Sequence, residues 1–305
     1  DATPELDKRE RDFSSTIRVT ECPVCKSGRF LPWNRFRADL SLGQCQNCSL
    51  VFRLTRSSNA ELMNIYNGDH YNHIATTGSS RYIWDMKVRS ATNYLRLLEE
   101  TNHHHEIKGR LLDVGCAQGF MLKAATTLGY DAYGLEISPA VKSVAEKEFK
   151  VLEGSLEESD LPDSYFTVVT MIDVIEHLKS PALALRKVGR ALKSGGILII
   201  VTPDISSVSS TLLRGRWPHF MPEHLCYYSA NTLKRLLGNE GYETLIIKPG
   251  FKFLNFDYVV RHFERYVDGW MTTILCTVRR TLPKAITRKA VKFQTELICI
   301  SVKSD

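Results

Sequence analysis

Residues 111–120, LLDVGCAQGF, place an acid and two glycines at a spacing that suits a cofactor loop. Asp113 precedes Gly115 by two residues, and Gly119 follows four residues later. A dinucleotide loop reads G-x-G-x-x-G, because its glycines clear room for a pyrophosphate. Here the pattern is D-x-G-x-x-x-G with Ala117 between the glycines. The loop is therefore either a loosened nucleotide loop or a loop for a different cofactor.

Polar residues also follow the next three apolar runs of the chain. Glu136 ends the second run, where an acid can accept hydrogen bonds from both hydroxyls of a ribose. Ser155 and Leu156 follow the third run, in a small-polar-apolar turn that fits the border of an adenine. The fourth run ends in DVIEH, from Asp173 to His177. Each residue alone could be a helix cap or a solvated strand end, but their joint placement at consecutive strand ends favours a binding site.

The elements that must position these residues alternate between strand and helix from residue 107 onwards. The predicted strands are RLLDV, DAYGLE, FKVLEG, FTVVTMI, GGILIIVT, ETLIIK and ELICISVK. Helical patterns such as SPAVKSVAEKEF and PALALRKVGRAL fill the gaps. The alternation predicts a doubly wound, Rossmann-like α/β sheet of seven strands, with its ligand crevice at the carboxyl ends of the strands.

LLDVGCAQG, GLEIS, DVIEHL and LKSGGILIIVTPD together resemble the class I S-adenosylmethionine-dependent methyltransferases. The resemblance covers most of the chain beyond residue 107 and implies S-adenosylmethionine as the cofactor. It implies that the acid and the glycine loop bind the methionine portion and that Glu136 binds the ribose. This cofactor has no pyrophosphate, so the tight dinucleotide turn is unnecessary. The predicted cofactor-binding residues are Asp113, Gly115, Cys116, Ala117, Gly119, Glu136, Ile137, Ser155, Leu156 and Asp173.

The loop WPHFMPEHLCYYS follows the fifth strand and should lie over the crevice. A hydroxyl or acidic C–H group that receives a methyl must lose a proton, and histidine is the side chain best suited to take it near neutral pH. We predict His224 as the general base and Glu223 as its carboxylate partner, with His177 as a second candidate. The alternative is that His224 only packs and caps the loop. Ser229 is predicted as the N-cap of the next helix.

Four cysteines form two C-x-x-C pairs near the N-terminus, namely Cys22, Cys25, Cys45 and Cys48. Four thiolates suit a tetrahedral Zn²⁺ ion and leave no position open for water or substrate. The pattern predicts a structural zinc ribbon over residues 18–56. A redox dithiol is less favoured, because neither pair opens a thioredoxin-like unit.

The predicted domain order is a tail over 1–17, the zinc ribbon over 18–56, a helical connector over 57–106 and the methyltransferase domain over 107–305. Within the connector, residues 81–100 have the spacing of an amphipathic helix. The 305 residues carry a net charge of +6 and 43% apolar residues, as in ordinary globular proteins. No signal peptide or membrane span is apparent, so a cytoplasmic location is predicted.

A helical insertion over 253–282 is predicted to separate the last two strands. One long helix should carry an apolar stripe of Phe256, Val260, Phe263, Val267, Trp270, Ile274 and Leu275. Six basic residues and no acid follow between Cys276 and Thr295. The stripe would serve as core, lid or dimer surface. Peripheral contact with the inner face of a membrane through residues 253–292 is the alternative.

A cysteine-rich ribbon beside this core also resembles methyltransferases of sugars and of surface-polysaccharide and natural-product pathways. That resemblance implies a small-molecule or saccharide acceptor, nucleotide- or lipid-linked, methylated on oxygen or carbon. An RNA methyltransferase that binds RNA through its ribbon is the alternative function. It is less favoured, because DVIEHL stands where base-modifying enzymes commonly carry N/D-P-P-Y/F. A binding module without catalysis is a further alternative.

Overall fold

A computed structural model describes residues 17–33, 40–56, 81–101, 108–221, 223–267 and 269–304. The predicted tail, apart from Ile17, lies outside the described residues, as does most of the predicted connector.

The cysteine-rich segment forms five short strands. They are β1 (Ile17–Arg18), β2 (Phe30–Pro32), β3 (Leu42–Cys45), β4 (Val51–Arg53) and β5 (Thr55–Arg56). β1 pairs with β5, while β2, β3 and β4 form an antiparallel sheet. The fourth strand of that sheet is β11 (Cys226–Tyr227), which comes from far down the chain and pairs with β4.

The central sheet has the seven strands that the sequence predicts. They are β6 (Arg110–Val114), β7 (Asp131–Glu136), β8 (Lys150–Glu153), β9 (Phe166–Ile172), β10 (Leu192–Pro203), β12 (Tyr242–Leu254) and β13 (Val291–Lys303). Their order across the sheet is β12-β13-β10-β9-β6-β7-β8. β6 to β10 are parallel, and β13 is antiparallel to both of its neighbours. The Rossmann-like α/β prediction is confirmed.

Both faces of the sheet are buried, as expected for parallel strands covered by helices. Leu112 and Val169 belong to the apolar core on one face, and their chain neighbours Leu111 and Val168 belong to the core on the other. Apolar residues therefore occur in unbroken runs along these strands, which is the pattern that predicted them.

Nine helices accompany the strands in the described part of the chain. They are α1 (Arg81–Arg96), α2 (Phe120–Thr127), α3 (Pro139–Ala145), α4 (Pro181–Ala191), α5 (Val208–Leu213), α6 (Ala230–Asn239), α7 (Phe256–Tyr266), α8 (Trp270–Thr281) and α9 (Lys284–Thr287). α1 confirms the predicted amphipathic helix and continues as a 3-10 turn over Leu97–Glu100. Ser229 caps α6, and a reciprocal capping box with Thr232 confirms that prediction. No helix among the described residues combines the length and the apolar character needed to cross a membrane.

The prediction of one long apolar helix after residue 256 is wrong. α7 ends at Tyr266, Val267 is extended at φ −129°, and Gly269 has φ +116° before α8 begins. Glycine adopts this positive φ at little cost, so it separates the two helices. The stripe is divided accordingly: Val260 is buried on α7, whereas Trp270 on α8 is exposed.

Candidate active site

The cofactor loop begins at the carboxyl end of β6. Asp113 is 4% exposed, and its Oδ1 accepts a hydrogen bond of 2.6 Å from the Thr170 hydroxyl on β9. Gly115 has φ +68°, and Gly119 has φ +92° at the start of α2. A Cβ at Gly119 would meet the Phe149 ring at 2.7 Å. Both glycines are therefore needed for the shape of the loop.

Ala117 joins the loop to the next strand. It also has a positive φ, +47°, which is unusual for a residue with a Cβ. Its N–H donates a hydrogen bond of 2.9 Å to Oε2 of Glu136, and the N–H of Ser138 donates one of 2.9 Å to Oε1. The carboxylate of Glu136 thereby fixes the backbone on both sides of the cleft.

The two acids at these strand ends are removed from water. Burial raises the pKa of Asp113 to about 7, against the lowering effect of the Thr170 hydroxyl. Burial also raises the pKa of Glu136, although backbone N–H groups of Ser138 and Ala117 favour its ionised form. Carboxyls whose pKa is raised by burial in a cleft are typical of functional sites.

A single cavity of about 980 Å³ connects the strand ends. Of the predicted cofactor residues, all except Gly119 line it, and so do the predicted catalytic residues His177 and His224. Gly119 lies outside the cavity lining, and its positive φ sets the shape of the loop. Glu223 does not line the cavity, which removes it from contact with a substrate there.

Asp173 makes an ion pair on the cavity wall. It has φ +55°, and its carboxylate accepts hydrogen bonds of 2.8 and 2.7 Å from Nζ of Lys252. The same ammonium lies 2.8 Å from Oε1 of Glu296, whose side chain is fully buried. Lys252 and Glu296 are not among the site residues predicted from sequence, although a charged residue within an apolar strand is a signal that could have identified them.

Four histidines, His177, His219, His224 and His262, also line the cavity. The ring centroids of His177 and His224 are 4.7 Å apart, those of His219 and His224 are 6.4 Å apart, and those of His219 and His262 are 6.1 Å apart. Desolvation lowers the pKa of His177, that of His219 to about 3, and that of His224 well below its usual value. The imidazoles of His177, His219 and His224 are thus neutral near pH 7. His219 and His262 are not among the site residues predicted from sequence, because neither spacing nor a motif distinguishes them.

The predicted pairing of Glu223 with His224 is wrong. Oε2 of Glu223 and Nδ1 of His224 are both buried without a hydrogen-bond partner. The carbonyl oxygen of Glu223 instead accepts a hydrogen bond of 3.1 Å from Nδ1 of His177. The backbone turns here, with the N–H of His224 bonded to the carbonyl of Met221 at 3.1 Å, so adjacency in sequence does not bring the two side chains together.

The four predicted metal ligands converge in the ribbon. The Sγ atoms of Cys22 and Cys48 are 3.5 Å apart, those of Cys25 and Cys45 are 3.4 Å apart, and all four lie within 4.8 Å of one another. Four sulfurs around one Zn²⁺ ion, at Zn–S bonds of about 2.3 Å, would be about 3.8 Å apart. The arrangement fits a tetrahedral ion.

The ribbon supports the loop that carries two of the histidines. Trp217, Phe220 and Tyr227 pack in one apolar cluster with Leu40, Leu42 and Val51 of the ribbon. The N–H of Arg53 donates a hydrogen bond of 2.9 Å to the carbonyl of Leu225, beside His224. The position of this histidine wall therefore depends on the ribbon.

A family model described as a methyltransferase domain matches residues 84–246, more than half of the chain. The chain belongs to this methyltransferase family. Solved structures show the same fold: a SAM-dependent methyltransferase from Thermotoga maritima has a TM-score of 0.51 at 18% identity and covers 80% of this methyltransferase and 99% of its own chain. A chain from the complex of the Haloferax volcanii Trm112 methyltransferase activator with a methyltransferase has a TM-score of 0.53 at 15% identity and covers 78% and 99%.

Two curated relatives are named ubiquinone biosynthesis O-methyltransferase. The mitochondrial protein of Schizosaccharomyces pombe is 28% identical over 172 residues, which cover 52% of this methyltransferase and 60% of the relative. The protein of Methylococcus capsulatus is 29% identical over 147 residues, which cover 44% and 62%. The chain thus spans about six tenths of the length of these relatives.

Proposed function

We propose that this methyltransferase transfers the methyl group of S-adenosylmethionine to a hydroxyl oxygen of a small-molecule acceptor. The observation that carries the proposal is one continuous cavity, which is lined both by the cofactor loop and by the neutral imidazoles of His177, His219 and His224. The names of the two relatives, both O-methyltransferases, support oxygen as the acceptor atom.

The cofactor lies across the strand ends in this proposal. Asp113 binds the ammonium of the methionine portion, and the loop backbone lies along it. Each oxygen of Glu136 already accepts one N–H, and its second lone pair remains for a ribose hydroxyl. Ser155 and Leu156 border the adenine. Asp173, held by Lys252, forms the boundary between cofactor and acceptor.

The acceptor occupies the histidine-lined half of the cavity. Trp217, Tyr258 and Phe263 also line the cavity, with Trp217 beside His219 and Tyr258 beside His262. Aromatic faces stack against sugar rings and phenol rings alike. A saccharide intermediate of surface-polysaccharide or natural-product synthesis fits this wall. Deprotonation of the acceptor hydroxyl depends on His224, with His177 beside it. The freed oxygen electron pair forms the O–CH₃ bond as the C–S bond breaks, and the sulfur keeps that bonding pair in S-adenosylhomocysteine.

A structural Zn²⁺ ion held by Cys22, Cys25, Cys45 and Cys48 completes the proposal. The spacing of the four sulfurs and the lack of room for a fifth ligand in a Cys₄ set support it. In this role the ion stabilises the ribbon and, through β4 and β11, the loop of His224.

We also propose that the protein acts at a membrane surface. Trp270, Ile274, Val278 and Leu282 recur every fourth residue along and just beyond α8, and their side chains are 66%, 53%, 39% and 37% exposed. The exposed basic residues nearby are Arg280, Lys284, Arg288, Lys289 and Lys292. An apolar stripe beside basic charge is the pattern of helices that lie on anionic membranes.

The deciding experiment uses cofactor with a labelled methyl group in a host-cell extract, followed by separation into nucleic acid, protein, lipid and small polar fractions. Label in the polar or lipid fraction is expected. Label in RNA would overturn the small-molecule acceptor and favour an RNA-reading ribbon. Asp113→Ala is the control, because it should abolish labelling of every fraction. In parallel, S-adenosylhomocysteine should raise the melting temperature and NAD should not.

A further inference from the structure

Three side chains present metal-ligand atoms to one point on the cavity wall. A carboxylate oxygen of Glu176 and one ring nitrogen each of His177 and His224 lie within 4.8 Å of one another. Donors at bonds of about 2.0–2.2 Å from one ion lie about 3–4 Å apart, so small side-chain rotations would bring all three onto a single ion. This cluster is separate from the ribbon and lines the acceptor half of the cavity.

Two of the polar atoms in the cluster are buried without a partner. Oε1 of Glu176 and Nδ1 of His224 accept no hydrogen bond, although the residues are only 1% and 3% exposed. Leaving a buried polar atom unsatisfied costs about 1–3 kcal/mol. A cation between these atoms would satisfy both at once.

The surrounding hydrogen bonds orient the ligands in the manner of metal sites. A carbonyl oxygen can only accept, so Nδ1 of His177 carries the proton that bonds to the Glu223 carbonyl at 3.1 Å, which leaves Nε2 free to bind an ion. The Thr202 hydroxyl donates a hydrogen bond of 2.9 Å to Oε2 of Glu176, which fixes that carboxylate. Such support of ligands by carbonyls and hydroxyls is usual around bound metals.

We propose that Glu176, His177 and His224 bind a divalent transition-metal ion whose open coordination position receives the acceptor hydroxyl. Two imidazoles and one carboxylate suit Zn²⁺, Mn²⁺, Fe²⁺ or Co²⁺. The inference rests on the proposed function and refines it, since His224 then acts by holding the ion. Asp173 is excluded as a ligand, because Lys252 occupies its carboxylate.

The ion supplies Lewis-acid activation of the acceptor. Coordination lowers the pKa of a bound hydroxyl, so the O–H bond breaks near neutral pH and the proton leaves to solvent through the cavity mouth. The oxygen electron pair then forms the bond to the methyl carbon while the S–C bond breaks toward sulfur. Charge and atoms balance without an oxidant or a further reactant.

The test is equilibrium dialysis of the full chain, with its ribbon zinc in place, against Co²⁺, followed by measurement of total metal per chain. Glu176→Gln and His224→Ala are each expected to hold one equivalent less than the wild type. His219→Ala is the matched control, a histidine of the same wall outside the ligand set, and should retain the wild-type content. The Co²⁺ absorption that the two variants lose relative to the wild type should contain no sulfur charge-transfer bands, because the proposed site has no thiolate ligand.

Equal metal content in the wild type and in both variants would overturn the site. A melting-temperature rise with S-adenosylhomocysteine in each variant confirms that it is folded. Methyl transfer without the additional equivalent would refute this inference and leave the proposed function standing. Binding of the additional metal equivalent without methyl transfer to any acceptor would support the metal site and refute the proposed function.

Discussion

Asp113 and Glu136 lie under the same loop, and burial favours the neutral form of both. Because the pKa of Asp113 in the folded protein lies above the ordinary value of 3.8, this carboxyl reduces the stability of the cofactor-free fold as the pH rises from about 4 to about 7. A bound ammonium would reverse that preference. Binding of the cofactor therefore favours ionisation of Asp113.

Cofactor affinity should rise with pH on this account. Without cofactor, Asp113 is mostly protonated at pH 6 and mostly ionised at pH 8, and the cationic methionine portion prefers the ionised form. We expect S-adenosylhomocysteine to bind about tenfold more tightly at pH 8 than at pH 6, with proton release near pH 7, measured by calorimetry in buffers of different ionisation enthalpy. Asp113→Asn should flatten the profile. An affinity that falls over this range would contradict the assignment.

Lys252 is predicted to be essential for stability. Its ammonium is the cation between Asp173 and Glu296, so Lys252→Met leaves the fully buried carboxylate of Glu296 without a cation, beside the partly exposed carboxylate of Asp173. The free energy of unfolding in urea should fall by about 3–5 kcal/mol. The double change with Glu296→Gln should recover part of the loss. If the single variant were as stable as the wild type, the triad would be unimportant to the fold.

At the scale of residues, sequence reasoning predicts the groups that end strands and misses those that meet across the fold. Asp113 and Glu136 follow from strand-end positions, whereas Lys252 reaches Asp173 only through the β12–β13 pairing at the sheet edge. His219 likewise joins the wall because the loop folds back over the cavity. Such encounters depend on tertiary structure, which no local pattern encodes.

At the scale of elements, the ribbon and the acceptor loop form one unit. β11 is two residues long and completes the ribbon sheet through β4, and aromatic side chains of the loop pack on the ribbon. The alternation of strands predicts the central sheet because long buried runs are distinctive. β11 could not be predicted, since two residues carry no periodic signal. The break between α7 and α8 was likewise missed, because the apolar spacing continues across Gly269.

Disruption of the ribbon should therefore impair methyl transfer and spare cofactor binding. In Cys45→Ser the ribbon loses a ligand, β4 no longer holds β11, and the loop of His224 shifts. We expect turnover to fall about a hundredfold or more, as for a misplaced reacting group. Calorimetry should give a nearly unchanged affinity for S-adenosylhomocysteine. Cys276→Ser, a cysteine outside the ribbon, should retain activity. Loss of cofactor binding in Cys45→Ser would show instead that the whole domain had unfolded.

At the scale of the whole molecule, the two ends of the described chain present different surfaces. The ribbon packs against the acceptor loop, whereas α8 and α9 carry apolar side chains and basic charge outward. Arg279 is the exception within the basic segment, because it pairs with Glu264 at 3.1 Å.

Binding to vesicles is the expected property of this surface. The protein should sediment with vesicles that contain phosphatidylserine and not with neutral ones, and added salt should release it. Ile274→Glu should abolish sedimentation, because it puts an anion in the apolar stripe. Leu31→Glu, at an equally exposed apolar residue of the ribbon, should leave it unchanged. Equal binding of both variants, or no binding by the wild type, would remove the membrane from the proposal.

The pairing of β4 with β11 has a consequence for synthesis on the ribosome. Phe52 pairs with Cys226, so the partner of this edge strand is translated about 170 residues later. At about 5–20 residues per second, that interval lasts roughly 10–35 seconds. The four cysteines emerge early enough to take up an ion during this time, but the edge of β4 stays open until the acceptor loop arrives. For that period the nascent ribbon offers an unpaired strand to any neighbouring chain, and a chaperone or rapid elongation would be its protection.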